Sequence, residues 1–459
     1  MKKTPLLTAF LSLGLVLTGC NNSNNPSGDG GKGQYYEKDI KVKALTTLNA
    51  EKDGNVLTFK YSDGYFLNDA KKYDKGLSEL SFGLALSCST KEITTNFYNE
   101  AKFLDITPVE FDEAPTVDSC AYTLAHKTIG EYELFSFTAR WYEYQKEWAN
   151  NFVIGKEGDH EGFSLRANEI YEKLQEYIST HQNNHKLKLW FSGYSRGGAI
   201  ANVLSSLILR EDKISIEQSD MYVYTYEAPN ALTSEHAVKY ENVHNIVSSG
   251  DIITHFAPNE YGLYRCGVDH EIYDKDISTH IKQLDNTISI PEFVECSGKN
   301  EEGEDVTLKN DVELVNYIFY DGLHKESSDE TILANTREQY VDNYQSAISY
   351  CLSIAFSLSE ETLNEIIDDV KSKGSMEIIM IFASGDSMFE YIKPYLDKDN
   401  VTYDEDILKE DLVKLRDFII TVFSSVVVIA MGDAKTNLSR LIDMHFPETV
   451  YVALLNSHK

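Results

Sequence analysis

The chain has 459 residues and a formal net charge of −31 at neutral pH, with 73 acidic residues against 42 Lys and Arg. No block rich in Lys or Arg occurs, which argues against nucleic acid as a partner. The six cysteines contain no Cys-x-x-Cys spacing, and the sequence has no phosphate loop, dinucleotide fingerprint or zinc-ligand spacing. We therefore predict no cofactor and no metal, and we leave the pairing of the cysteines open.

The first 20 residues have the features of an export signal. Lys2 and Lys3 precede an apolar segment, 6–17, that is too short to span a bilayer comfortably. The sequence Leu-Thr-Gly that follows, ending at Cys20, resembles the lipobox of bacterial lipoproteins. This resemblance implies that Cys20 is a lipid anchor and that the protein is exported to a bacterial membrane or cell surface; the alternative is an ordinary secreted protein. Residues 21–35, rich in Asn, Ser and Gly, are predicted to form a flexible tether.

Spaced or alternating apolar residues predict the first elements of the globular part. A strand is expected over 56–61, and helices over 76–87 and 95–104. A hairpin follows, with its two strands over 122–127 and 133–138. The next helix has Ala, Ile, Leu and Ile on one face, at positions 167, 170, 174 and 178.

The strongest signal of the chain lies where that helix leads into a further strand, 187–191. The strand is followed by Gly-Tyr-Ser-Arg-Gly, with Ser195 at its centre, and then by a helix over 199–209 with small residues facing the strand. This is the pattern of a nucleophile elbow, in which a sharp turn between strand and helix presents a serine hydroxyl to a histidine. A Gly-Ser loop without chemistry is the alternative.

Strands over 221–226 and 243–247 continue the alternation of strands and helices, which predicts a central parallel sheet. Asp251 lies in the loop after the second of them, where an α/β-hydrolase places its orienting carboxylate. From 298 to 433 the pattern is helical, and its most apolar part, 418–431, favours a buried helix over an interfacial one.

The order of these motifs resembles the class 3 lipase family, which includes fungal triacylglycerol lipases. Its landmarks are matched at 137–140 followed by 147–148, at 160–163, at 193–199 and at 245–258. The resemblance extends over roughly residues 76 to 270. It implies an α/β-hydrolase with a mostly parallel sheet and, in this chain, an inserted or appended helical subdomain.

Carried over by position, the resemblance makes Ser195 the nucleophile and Asp251 the acid of a Ser-His-Asp triad. The histidine should follow Asp251, because these folds use that order. The candidates are His255, His270, His280, His324, His445 and His458. We predict His445, because residues 442–451 resemble the family's terminal His and the helix that follows it and packs back on the core, and we keep His270 as the second choice.

The backbone N–H of Arg196 is the expected first oxyanion donor, with the second at Trp141 or Tyr142. The family usually has Gly in place of Trp141, His in place of Tyr194 and Leu in place of Arg196, which leaves the second donor and the pocket shape open. The Arg196 side chain is expected to pair with a neighbouring carboxylate such as Glu227 rather than with an acidic substrate.

The predicted function is hydrolysis of carboxylic esters through an acyl-enzyme, as a lipase or esterase. The alternatives are an inactive hydrolase-fold lipoprotein with a binding role and a peptidase or thioesterase that uses the same triad. The helical segment is either a lid or a separate module. The predicted domains are a signal peptide at 1–20, a tether at 21–35, an α/β-hydrolase core at 36–298, a helical insertion at 299–433 and a C-terminal return carrying the histidine at 434–459.

Overall fold

A computed structural model describes residues 35–44, 48, 54–112, 116, 119–142, 145–211, 213–255, 257, 259–299, 304–318, 336–359, 361–363, 365, 366, 369, 373, 377, 380–422 and 435–457. The predicted signal peptide, Cys20, nearly all of the tether, His324 and His458 lie outside these residues. Among the described helices, none combines the length and apolar character needed to cross a membrane.

The strands of the described residues form one large sheet and three small antiparallel pairs. In chain order they are β1 (Glu37–Lys43), β2 (Val56–Ser62), β3 (Leu104–Val109), β4 (Tyr122–Ile129), β5 (Tyr132–Ala139), β6 (Lys186–Tyr194), β7 (Met221–Tyr226), β8 (Leu232–Thr233), β9 (Val243–Ser248), β10 (Leu263–Tyr264), β11 (Val268–Ile272), β12 (Cys296–Lys299) and β13 (Asp305–Leu308). The small pairs are β1 with β2, β8 with β10, and β12 with β13.

The large sheet has seven strands in the order β11-β9-β7-β6-β5-β4-β3. Strands β5, β6, β7, β9 and β11 are parallel, whereas β4 is antiparallel to both of its neighbours. The central strands are buried along almost their whole length, as a sheet covered on both faces requires. Their carboxyl ends share one edge, which carries the candidate site.

Helices cover both faces of this sheet. The α-helices whose bounds the structure describes are α1 (Lys75–Ser87), α2 (Lys91–Glu100), α3 (Glu161–His181), α4 (Arg196–Glu211), α5 (Ile277–Leu284), α6 (Asp311–Asn316), α7 (Arg337–Tyr340), α8 (Ser346–Ala355), α9 (Gly385–Lys398), α10 (Glu405–Val422), α11 (Lys435–Asp443) and α12 (Pro447–Asn456). Helices α3 and α4 close one apolar cluster, and α1, α2 and α12 help to close the other. The predicted α/β-hydrolase architecture, with its mostly parallel sheet, is confirmed.

Most predicted elements lie within a few residues of the observed ones, but two expectations were wrong. The helix expected over 95–104 ends at Glu100, because Lys102 adopts φ +63° and the chain then enters β3 at Leu104. The change to helix expected at 298 is also wrong, because β12 and β13 form a hairpin across that position. The boundaries of the core and the insertion stay predictions.

The helical segment after this hairpin contacts the core through hydrogen bonds of Arg337 and Gln345. The buried Arg337 guanidinium donates hydrogen bonds to the carbonyls of Ile154, Gly155 and Gly158 at 2.7, 2.5 and 2.6 Å. Gln345 accepts from the N–H groups of Ile154 and Gly155 at 2.8 and 3.0 Å. This part of the segment is therefore fixed to the loop that precedes α3.

The apolar run expected to form a buried helix over 418–431 is described only in part. Helix α10 includes its first residues and ends, as described, at Val422. Phe418 packs in a cluster with Tyr340 and Tyr344, at ring-centroid distances of 5.6 and 5.5 Å. The remainder of the run lies outside the described residues.

The five described cysteines are all free thiols, at positions 88, 120, 266, 296 and 351. Four of them are buried. Burial raises the pKa of the Cys120 and Cys351 thiols to about 12, which keeps both groups protonated at neutral pH. No disulfide therefore stabilises the described part of the chain.

Candidate active site

Ser195 occupies the one-residue turn between the end of β6 and the start of α4. Its φ is +52°, a left-handed conformation that non-glycine residues adopt only where surrounding contacts enforce it. The Ser195 N–H donates to the Tyr226 carbonyl at 2.8 Å, and the Ser195 carbonyl accepts from the Ala199 N–H at 3.0 Å. The strained turn places the hydroxyl at the carboxyl edge of the sheet and beside the N-terminus of a helix.

Two glycines permit this turn by allowing close backbone contact. A Cβ at Gly193 would lie 2.2 Å from the Gly197 carbonyl oxygen, and a Cβ at Gly197 would lie 2.5 Å from the Ala139 carbonyl oxygen. Neither distance is compatible with a side chain, since both neighbours are backbone atoms. The glycines of the motif are therefore a steric requirement of the elbow.

His445 and Asp251 complete a hydrogen-bonded chain with this serine. The His445 Nε2 atom lies 2.9 Å from Ser195 Oγ, and its Nδ1 atom lies 2.5 Å from Asp251 Oδ2. Asp251 is fully buried, and its other carboxylate oxygen accepts the Ile253 N–H at 2.8 Å. Because a carboxylate only accepts, His445 carries its proton on Nδ1, which leaves Nε2 to accept from the serine hydroxyl.

The histidine lies in a short turn between α11 and α12 and is positioned by contacts from distant parts of the chain. The buried Tyr194 hydroxyl, next to the nucleophile, donates to the His445 carbonyl. Behind the turn, Arg440 of α11 makes two hydrogen bonds to the Asp311 carboxylate, both at 2.7 Å. Both side chains of this ion pair are buried, so α11 is held to α6.

Glu227 is a site residue that the sequence analysis did not identify in this role. It follows β7 directly, is fully buried and adopts φ +49°. Its carboxyl group accepts the Ser248 N–H at 3.0 Å and is hydrogen bonded to Asp251. Burial, together with the neighbouring Asp251 carboxylate, raises the pKa of Glu227 well above its usual range. A hydrogen bond between two carboxyl groups needs one proton, and because Asp251 already accepts from Ile253 N–H and His445 Nδ1–H, we assign that proton to Glu227.

Arg196, by contrast, has other contacts than the predicted pair with Glu227. Its Nη2 atom donates to the Ser119 carbonyl at 3.3 Å, while the Glu227 carboxyl points toward Ser248 and Asp251. Glu227 is therefore not the carboxylate partner expected for Arg196. The Glu227 carboxyl does not pair with Arg196 because it already accepts from the Ser248 N–H and is hydrogen bonded to Asp251.

The expected oxyanion residues lie at the same sheet edge as the serine. Arg196 is the first residue of α4, and Trp141 and Tyr142 follow β5, which pairs in parallel with β6. The Trp141 indole donates to the Leu86 carbonyl at 3.2 Å, and its ring packs edge-on against Tyr194, 5.0 Å between centroids. The Trp141 side chain, which replaces the glycine of the family, is thus part of the core.

The competing histidines have other partners. The His270 Nε2 atom lies 3.0 Å from His244 Nδ1, and its ring stacks on Tyr73 at 4.4 Å. His280 Nδ1 lies 2.6 Å from Asp274. Burial lowers the pKa of His255 to about 4. Of the described histidines, His445 is the one that contacts Ser195.

Residues 130–261 match the class 3 lipase family model. The matched segment includes Ser195, Asp251 and the three expected oxyanion residues, whereas His445 lies outside it. The match supports a lipase-type hydrolase with a serine triad for this part of the chain.

Similar solved structures include a fungal lipase in complex with an inhibitor, at 15% identity over 44% of this chain and 81% of that chain, TM-score 0.37. A lipase from Rhizopus microsporus var. chinensis is 14% identical over 44% of this chain and 75% of its own, TM-score 0.33. The Rhizomucor miehei triacylglyceride lipase is 16% identical over 45% and 83%, TM-score 0.35. A search of curated proteins found no match.

Proposed function

We propose that the protein is a serine hydrolase that cleaves carboxylic esters through an acyl-enzyme intermediate. The observation that carries the proposal is the chain from Ser195 Oγ through His445 to Asp251, with hydrogen-bond distances of 2.9 and 2.5 Å. A serine hydroxyl becomes a competent nucleophile only when a base accepts its proton as it attacks.

In the acylation step, His445 Nε2 takes the hydroxyl proton while Ser195 Oγ attacks the ester carbonyl carbon. The Asp251 carboxylate stabilises the resulting imidazolium through Nδ1. Collapse of the tetrahedral intermediate breaks the bond to the alkoxy group, which leaves with the proton from His445 Nε2. The products are the free alcohol and an acyl group on Ser195.

In the deacylation step, water takes the place of the alcohol. His445 removes one proton from the water as its oxygen attacks the acyl carbon, and the same proton returns to Ser195 Oγ when the intermediate collapses. The products are the carboxylic acid and the regenerated enzyme. The neutral Glu227 supports both steps, because a proton donor beside Asp251 holds that carboxylate in place while it faces His445.

The negative oxygen of each tetrahedral intermediate needs hydrogen-bond donors. The backbone N–H of Arg196 is the proposed first donor, since it opens α4 directly after the nucleophile. Trp141 or Tyr142 is proposed to supply the second N–H. Loss of one such donor typically costs about a hundredfold in rate.

The test compares wild type with Ser195→Ala, Asp251→Asn and His445→Ala on p-nitrophenyl esters of graded chain length. Wild type should hydrolyse these esters, and each of the three variants should lose between about 10⁴- and 10⁶-fold in kcat. Because the three residues act as a unit, a variant that combines the substitutions should lose no more than the most impaired single variant. His270→Ala is the matched control, and it should retain wild-type turnover. No ester turnover by the wild type would contradict the proposal. The chain-length profile separates a lipase from a short-chain esterase.

We also propose that the enzyme is exported and lipid-anchored through Cys20. This rests on the charged start, the short apolar segment and the Leu-Thr-Gly-Cys ending. In the native bacterial host, wild type should sediment with membranes and partition into detergent, whereas Cys20→Ser should not. Equal partitioning of wild type and Cys20→Ser into detergent would contradict a lipid anchor at Cys20.

A further inference from the structure

Three potential metal ligands from separate elements converge at the end of the sheet formed by β3 and β4. They are Asp105 of β3, His126 of β4 and His181, the last residue of α3. Asp105 Oδ2 lies 3.0 Å from His126 Nε2 and 3.8 Å from His181 Nε2. One ligand atom from each residue lies within 4.8 Å of the others.

The two imidazoles are held so that their Nε2 atoms face the same carboxylate oxygen. His126 Nδ1 lies 2.6 Å from Oε1 of the buried Glu133, and His181 Nδ1 lies 2.8 Å from the Tyr177 carbonyl. Because the carbonyl only accepts and Glu133 is a carboxylate, both Nδ1 atoms carry the proton. In the neutral rings the unprotonated Nε2 atoms therefore lie 3.0 and 3.8 Å from Asp105 Oδ2.

A protonated Nδ1 bound to a carboxylate or a backbone carbonyl is the usual support of a metal-binding histidine. Glu133 is itself oriented by the Thr128 hydroxyl, which donates to its second oxygen at 2.9 Å. The His126 side chain is almost fully buried, so its ring has little freedom to turn away. His126 is therefore oriented before any ion binds.

Asp105 reaches this position through an irregularity in its strand. The register of β3 against β4 shifts between Leu104 and Thr107, and Asp105 adopts φ +43°. Its carbonyl accepts from the Tyr177 hydroxyl at 2.7 Å and from the Thr107 hydroxyl at 2.9 Å. A bulge that re-aims a side chain is common next to binding sites.

We propose that Asp105, His126 and His181 bind a divalent transition metal, with Zn²⁺ as the ion that fits best. Ligand atoms about 2.0–2.2 Å from a tetrahedral zinc lie roughly 3.3–3.5 Å from one another. Asp105 Oδ2 lies 3.0 and 3.8 Å from the two Nε2 atoms, and all three ligand atoms lie within 4.8 Å of one another, so binding requires the partly exposed His181 to move closer to the other two ligands. Two imidazoles with one carboxylate suit Zn²⁺, whereas Ca²⁺ and Mg²⁺ prefer oxygen ligands. The Asp105 side chain is 63% exposed, so a water molecule has access to the fourth position.

The alternative without a metal is an ion pair between Asp105 and a doubly protonated His126. That state needs a second proton on His126 Nε2 to bridge the 3.0 Å to Asp105, and His181 then makes only a longer contact of 3.8 Å with the same carboxylate. Zinc would use all three groups and would tie the edge strand β3 and the end of α3 to β4.

The ion would not take part in ester hydrolysis. His126 pairs with Phe135, which pairs with Leu189, six residues before Ser195 on β6. At about 3.3 Å per residue, the site lies on the order of 20 Å from the nucleophile. The inference therefore concerns stability, and it revises the expectation that the chain holds no metal. No local spacing could reveal it, because positions 105, 126 and 181 belong to three elements.

The test is calorimetric titration of Zn²⁺ into the full chain without an affinity tag, after removal of metals by a chelator. Excess Ca²⁺ is included so that carboxylate clusters on this acidic protein are filled. Wild type should bind one Zn²⁺ per chain, and His181→Ala and Asp105→Asn should each weaken the affinity by at least about tenfold. Saturating Zn²⁺ should raise the wild-type Tm by at least about 2 °C and leave that of His181→Ala unchanged.

His280→Ala is the matched control, since His280 is also a helical, partly exposed histidine that contacts an aspartate. It should bind Zn²⁺ as wild type does. His181 is partly exposed at a helix end, so His181→Ala should fold even if a variant at the buried His126 does not. Equal Zn²⁺ affinity in wild type, His181→Ala and Asp105→Asn, or no stoichiometric binding by wild type, would overturn the proposal.

Discussion

The nucleophile and the base of the proposed triad are positioned in different ways. Ser195 is placed by its immediate neighbours in sequence: a buried strand, two glycines that permit backbone contact, and a helix. His445 is placed by residues far away in sequence, through Tyr194 and the Arg440–Asp311 ion pair. The residues that specify the elbow thus lie within one short motif, although its backbone contacts reach Tyr226 and Ala139, whereas the residues that hold the histidine turn are spread over the chain. Substitutions at the elbow and at the histidine turn should therefore differ in their effects on stability and on kcat.

Gly193→Ala should have the largest effect, because its Cβ would lie 2.2 Å from a backbone oxygen. We expect a loss of at least about 4 kcal/mol in the free energy of unfolding. Any folded enzyme should lose about a hundredfold or more in kcat, since the serine is displaced. Gly130→Ala is the control: its φ is +60° but no atom lies near the added Cβ, so it should cost about 1 kcal/mol. Urea unfolding measures both, and equal losses would contradict a steric role for Gly193.

Arg440→Met should destabilise the histidine turn, because it leaves Asp311 buried without its partner. The expected loss is about 3 kcal/mol in urea unfolding, with a lower kcat from a less ordered His445. The double variant Arg440→Met/Asp311→Leu removes both charges and should recover much of the stability. If the double variant is less stable than the single one, the ion pair does not act as described.

Tyr194→Phe should lower kcat by about tenfold with little change in KM, because the hydroxyl that fixes the His445 carbonyl is lost. The expected cost in stability is about 1–2 kcal/mol. Tyr226→Phe is a close control, since its buried hydroxyl also donates to a backbone carbonyl, that of Ser78. It should lose similar stability but keep its kcat. A tenfold loss in both variants would show that Tyr194 has only a packing role.

Glu227→Gln should have the smallest effect on activity, within about threefold of wild type. Glutamine accepts the Ser248 N–H and donates to Asp251, as a neutral Glu227 does. Stability provides the sharper test. Because the folded pKa of Glu227 is raised, its contribution to stability is fully present below the unfolded pKa, near 4.5, and is lost as pH rises toward the folded value.

Wild type should therefore lose stability relative to Glu227→Gln by about 1.4 kcal/mol per pH unit as the pH rises above about 5. Unfolding of the two proteins in urea at several pH values measures this difference. A difference that does not change with pH would mean that Glu227 is ionised in the folded protein. Glu227→Ala, which removes the donor to Asp251, should lose more activity than Glu227→Gln.

The difference between the two halves of the triad also explains what the sequence could predict. The elbow, the parallel central strands and Asp251 could be predicted because each depends on a local pattern: glycines, apolar runs and an acid after a strand. His445 could be selected only through the family resemblance. The helix predicted over 95–104 extends too far along the chain, because the left-handed residue that follows the helix is Lys102 and not a glycine, the usual sequence signal of a helix end.

Other parts of the site could not be predicted because they depend on which buried groups meet in three dimensions. Glu227 was assigned to Arg196 because opposite charges were expected to pair, but the fold brings it to Asp251 instead. Tyr194 was recognised only as a departure from the family. The hydrogen bond from Tyr194 to the His445 carbonyl joins residues that are 251 positions apart in the sequence. No local sequence pattern can predict a contact over such a separation.

The most direct test of the account is the rate at which a fluorophosphonate modifies Ser195, with the modified residue located by mass spectrometry. Wild type and His270→Ala should be labelled on Ser195 at equal rates. His445→Ala should be labelled at least about 10³-fold more slowly, because the serine has lost its base. Labelling of His445→Ala at the wild-type rate, or labelling of a different residue, would contradict the triad.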